Sequence, residues 1–288
     1  MLWMAAASLH GQTIVDGIAA VEAGHLDDAV RVLSKVVQDN PESSEANFYL
    51  GLAHFRAGRS VAARPLLERA AALAPANAQA WKILGLVTTS AGDSDAAAAA
   101  LRKACDLAPR DEEACYYLAR NLYALGHYQA ARGPFEVALR AAPQAMLSRV
   151  HRALALNFAA LGSAAEAERH FVKAMQLAGR APRETEDARV DYGAFLFRQG
   201  RTEEDLRPLQ QATRDLPSSA RANVELGRVL LHLAKLAEAA ACLEKAVRLE
   251  PANFNAHLLL GRAYLTLGRT SEGEREMRLG QEGWAGKL

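Results

Sequence analysis

Tyr116, Arg120 and Tyr123 follow one another at spacings of four and three residues, which in a helix places two phenol rings and a guanidinium on one side. Arg forms paired hydrogen bonds to a carboxylate and Tyr supplies contact area at small entropic cost, so this trio suits a ligand that carries carboxylates. The alternative is a set of solvated charges and partly packed aromatics with no dedicated ligand. Catalytic constellations are harder to assemble. The eight histidines (His10, His25, His54, His127, His151, His170, His232 and His257) are scattered, with no HExxH and no pair at i and i+4; a helical metal site has no support. No phosphate-loop GxxxxGK, GxGxxG or GxSxG occurs in a strand-to-helix context. Glu184, Glu186 and Asp187 form an acidic turn that reads as solvated. The expectation is a protein that is no enzyme and needs neither metal nor cofactor.

Three cysteines, Cys105, Cys115 and Cys242, are an odd number without a CxxC, so neither a zinc site nor a disulfide scaffold is expected. They read as small buried hydrophobes, with a bridge between Cys105 and Cys115 across the turn at Pro109 as the alternative. Lys plus Arg number 34 and Asp plus Glu 33. That balance argues against a broad nucleic-acid surface or an anionic membrane as the main target. No run approaches the roughly 18 apolar residues that would cross a bilayer. Met1 to Leu9 is apolar and small-residue-rich but lacks a basic flank. It is either a short disordered or helical piece or the end of an export signal, which leaves the compartment open between the cytoplasm and, in the second case, export.

The elements that must position these residues announce themselves by periodicity. Prolines recur at Pro41, Pro75, Pro109 and Pro143, each 34 residues after the last, and again at Pro217 and Pro251. Eight units begin near His10, Ser44, Ala78, Glu112, Ser148, Glu186, Ala220 and Phe254, with wider spacing around the fifth. In each, the eighth residue is small (Gly17, Gly51, Gly85, Ala119, Ala155, Gly193, Gly227, Gly261), as two closely packed helices require. Ser43, Asn77, Asp111, Thr185, Ser219 and Asn253 precede the first helices as candidate caps. Glycines at 24, 58, 92, 126, 162, 200 and 268 end them, each supplying a left-handed residue. Two helices of roughly 12 to 15 residues per unit follow, marginal alone and dependent on packing. Pro65, Pro134 and Pro208 fall inside second helices, where they should bend the helix without breaking it. Gly179 to Thr185 reads as a wide turn, or else as a mild hinge between units five and six.

Trp81, Leu84-Gly85, Thr88, Gly92, Ala97, Leu101, Ala104 and Pro109 match the order and spacing of the tetratricopeptide signature, with Thr for its tyrosine and Leu for its phenylalanine. His257 to Tyr264 is another close match, and the chain resembles the tetratricopeptide repeat (TPR) family over nearly its whole length. The resemblance implies an all-α, right-handed α-α superhelical solenoid of antiparallel helix hairpins, a single array over residues 10–284. It also implies that first helices line a concave groove that holds peptides or partner proteins. Groove positions then fall on Lys82, Tyr116, Arg120, Tyr123, Arg149, Arg152 and Arg228, among others, and these are the candidate peptide-binding residues. The Lys, Asn and Arg set with which one subfamily grips acidic C-terminal tails is missing, since Phe48, Leu52, Ile83, Glu113 and Tyr117 stand at those positions. The resulting expectation is a non-enzymatic scaffold for an unidentified protein or peptide, with self-association through terminal repeats as a further expectation. An RNA-binding solenoid and a targeting subunit for a separate enzyme are the alternatives.

Overall fold

A Cβ added to Gly85 would stand 2.5 Å from Leu101 Cγ, so the first and second helices of that repeat touch backbone to side chain. The same approach recurs between Gly51 and Leu67 and between Gly227 and Leu243, at 2.7 and 2.6 Å. This close contact is the unit from which the molecule is built. The computed structural model describes residues 14–178 and 182–285; Met1 to Leu9 lies outside them. Among the described residues every regular element is a helix: α1 (14–22), α2 (Leu26–Asp39), α3 (Ser44–Arg56), α4 (Ser60–Leu73), α5 (Ala78–Ser90), α6 (Ser94–Leu107), α7 (Glu112–Ala124), α8 (Tyr128–Ala141), α9 (Gln144–Ala160), α10 (Ala164–Leu177), α11 (Pro182–Arg198), α12 (Thr202–Asp215), α13 (Ala220–His232), α14 (Leu236–Leu249), α15 (Phe254–Thr266) and α16 (Thr270–Ala285). They pair as antiparallel hairpins, α1 with α2 through α15 with α16. The chain divides into two units, Met1–Pro143 and Gln144–Leu288.

Within each unit the apolar interior is a series of separate clusters, as expected where a repeat buries its face only against its neighbours. In the first, Ala63, Leu67, Ala70 and Ala71 of α4 meet Ala80, Leu84 and Val87 of α5 and Ala100 of α6. In the second, Leu243 and Ala246 of α14 meet Leu259, Leu260 and Tyr264 of α15. Phe135 and Phe171, at the same place in their second helices, are fully buried.

Helix ends follow the chemistry of their sequences. Ser43, Asn77, Asp111, Ser219 and Asn253 each accept a hydrogen bond from the backbone N–H three residues on, worth about 1 kcal/mol apiece. Thr185 does not cap: α11 begins at Pro182, one turn earlier, and Thr185 is buried inside it. Likewise α9 starts at Gln144 and not at Ser148. These two first helices have 17 residues where α3, α5, α7, α13 and α15 have 13. The widened spacing is therefore an added helical turn. Residues 182–185, expected in a wide turn or hinge, are helical, while residues 179–181 lie outside the described part. Pro65 sits within an unbroken α4; the carbonyl it leaves unpaired, four residues back, belongs to Val61, which is 92% exposed and open to water.

Candidate functional site

In the first unit the expected aromatic surface of α7 divides in two. Tyr116 is only 5% exposed; its ring meets Phe135 edge-on at 6.1 Å, so it belongs to the interior. Arg120 is exposed and lays its guanidinium 5.8 Å from the Tyr116 ring centre. Tyr123 is half-buried against Tyr128, ring centres 5.2 Å apart. Of this trio, what reaches solvent is the guanidinium and part of one phenol, not a continuous aromatic strip. On α3, Phe48, Leu52 and Phe55 are half-buried along the corresponding line.

Lys82 on α5 is turned inward. It is 8% exposed, and its Nζ lies 2.8 Å from Asp111 Oδ2 and 3.3 Å from Glu113 Oε2. Burial alone would pull its ammonium down, but the Asp111 and Glu113 carboxylates outweigh it and hold the group above the ordinary lysine range. Lys82 thus joins the start of α7 to α5, and its charge is answered within the chain.

The second unit repeats this on a larger scale. Arg152 of α9 and Arg221 of α13 both reach Asp187 and Asp191 of α11, which lies between them; Arg152 Nε is 3.4 Å from Asp191 Oδ2 and Arg221 Nη1 is 3.0 Å from Asp187 Oδ1. Asp191 is 7% exposed. Burial works against the Arg221 charge, and Asp191 with Asp187 and Glu186 raises it overall. Arg149 stands 3.8 Å from Glu184, and Arg228 3.3 Å from Glu225 on its own helix. Beside this lattice Glu186 accepts a 2.6 Å hydrogen bond from the buried Ser219 hydroxyl, at the wall of a cavity of about 270 Å³ that Arg183, Ser218 and Glu250 also line. Of the seven sequence-nominated residues, Arg120 is the only cation that no described carboxylate pairs. Glu184, Glu186 and Asp187, expected as a solvated turn, are helical, and each has an internal partner.

Several contacts escaped sequence reading because their members lie on different helices. The fourth residue of a repeat faces the twenty-third across the hairpin. In the last repeat this brings His257 Nδ1 2.6 Å from Glu276 Oε2, both buried, with His257 Nε2 3.0 Å from the Pro251 carbonyl. The carbonyl only accepts, so Nε2 is the donor in that bond. In the fifth repeat it brings His151 Nδ1 2.9 Å from His170 Nδ1. Burial, then the His170 and Lys173 charges, hold His151 down to about 4. In the third, Ala100 is too small to fill the space opposite Trp81, leaving a mainly apolar cavity of about 310 Å³ floored by Leu84 and Thr88. Cys105 and Cys115 form a disulfide that ties α6 to α7. The bridge expected as the alternative is the one that forms, in place of two free thiols. Cys242 remains a thiol, and burial raises it above the usual range.

Among the described residues no three His, Cys, Asp or Glu side chains are grouped so as to hold a metal ion, and no helix is long and apolar enough to cross a membrane. The comparisons with known proteins bear on the family. A tetratricopeptide repeat family model matches residues 16–78, 61–112 and 90–145, and a TPR repeat model matches 227–268. No curated protein matches the chain in sequence. Among solved structures, MamA of AMB-1 is 30% identical over 57% of this chain and 96% of its own, with a TM-score of 0.52. MamA of MSR-1 is 31% identical over 60% and 98%, TM-score 0.53. The APC/C hetero-tetramer Cut9-Hcn1 is 17% identical over 87% and 48%, TM-score 0.63, a likeness of fold alone. Repeat period, helix-hairpin packing and both family matches agree, and the chain belongs to the tetratricopeptide repeat family.

Proposed function

We propose that this protein is a non-enzymatic interaction scaffold whose first-helix face, in the first unit, holds a peptide or a segment of a partner protein. The observation that supports the reading is the exposed Arg120, which no described carboxylate pairs, beside the half-buried Tyr123. A guanidinium held over a ring keeps its outer hydrogen-bonding edge available to an incoming carboxylate. Phe48, Leu52 and Phe55 supply apolar contact on α3. Lys82, Arg149, Arg152 and Arg228 enter the proposal differently from Arg120, since each already faces a carboxylate of the same chain. The same pairing counts against the RNA reading, because phosphate binding needs cations free to replace counterions.

A peptide array probed with wild type and with Arg120→Glu plus Tyr123→Ala tests the placement. Acidic peptides bound by wild type should lose at least tenfold in affinity. An identical set of bound peptides at unchanged strength would refute it.

A further inference from the structure

We propose that His151 and His170 form a two-histidine site for a late first-row divalent cation, Cu²⁺ or Ni²⁺, on the hairpin of α9 and α10. The two Nδ1 atoms lie 2.9 Å apart on different helices. The helices are fixed beneath them by Leu154, Ala155 and Phe171, all fully buried. The His170 ring is further held against Phe158, nearly parallel at 27° with centres 5.3 Å apart. Two imidazoles brought together by a packed hairpin need only turn their facing nitrogens toward a common point to act together.

The donor type selects the metal, and the separation is compatible with it. With metal–nitrogen bonds of about 2.0–2.1 Å, a 2.9 Å bite subtends about 90° at the ion, the cis angle of square-planar or octahedral coordination. Imidazole is a good donor for copper and nickel, whereas magnesium and calcium take oxygen. No third His, Cys, Asp or Glu joins the pair among the described residues, so water completes the shell and the ion exchanges readily. Lys173, whose charge acts on His151, opposes the bound cation.

The chemistry balances without an added reagent. The nitrogen-to-nitrogen hydrogen bond is exchanged for two metal–nitrogen bonds. The ring that donated through Nδ1 then carries its proton on Nε2, and no net proton is released when both rings start neutral.

The test is isothermal titration of the tag-free full chain with NiCl₂, CuCl₂ and MgCl₂ at pH 7.5, comparing wild type with His151→Gln, His170→Gln and the exposed control His127→Gln. One site for Ni²⁺ and Cu²⁺, weakened at least tenfold in both pair variants, unchanged in the control and silent to Mg²⁺, is the expected result. Absence of binding to wild type, or binding equally strong in the pair variants, would overturn it. Paramagnetic broadening in the wild-type NMR spectrum reads the site without any substitution. Ni²⁺ should broaden the His151 and His170 ring signals first, and broadening confined to other histidines refutes the assignment.

Discussion

Ala234 occupies the hairpin turn of the seventh repeat with φ 57°, where the other seven repeats place a glycine at 74° to 78°. A Cβ in this left-handed region crowds the following carbonyl and costs about 1–2 kcal/mol. Glycine removes that cost but gives the unfolded chain more freedom, which returns part of the gain. Ala234→Gly should therefore raise stability by about 0.5–1 kcal/mol. Chemical denaturation followed by circular dichroism reads the change, and a lower midpoint would contradict the strain assigned to this turn.

Elements obey a second rule, that a first helix and a second helix meet through one small residue. Gly85→Leu would drive a side chain into Leu101, whose Cγ stands 2.5 Å from where even a Cβ would be. Overpacking of this kind costs roughly 1–3 kcal/mol or more, and thermal melting should fall accordingly; an unchanged melt would show that the packing register is wrong. This rule was legible in the sequence because it is local: the small eighth residues, the glycine turns and the caps at Ser43, Asn77 and Asp111 all act within one repeat. Thr185 misled because its residue type suits a cap, and only the structure shows α11 beginning a turn earlier. The partners of Lys82 and Arg152 were hidden for a different reason. Asp111 and Asp191 lie 29 and 39 residues away in sequence, and a spacing rule that nominates groove positions does not say which of them neutralise one another. Tyr116 has the right spacing for a surface trio, yet the contact with Phe135 draws it into the interior. The Cys105–Cys115 bond was visible in the sequence only as the alternative to two buried thiols, and the close approach of α6 to α7 decides between them.

At the scale of the whole molecule, separate clusters in place of one interior make stability a sum of repeat and neighbour terms. Damage should therefore stay near its origin. In the Gly85→Leu protein, hydrogen exchange should accelerate in α5 and α6, and less in α4 and α7, while α13 to α16 keep their protection. Uniform acceleration along the chain would mean that the repeats unfold as one cooperative body.

The pairing of Arg152 and Arg221 with Asp187 and Asp191 has a consequence for binding. A face that already carries its own acidic occupant offers those guanidiniums to no acidic visitor while the occupant stays in place. Exchanging both carboxylates on α11 for amides would uncover two guanidiniums, yet it would also leave partly buried charges without their partners and untie three successive helices, so any gain in anion binding would be set against a loss of stability.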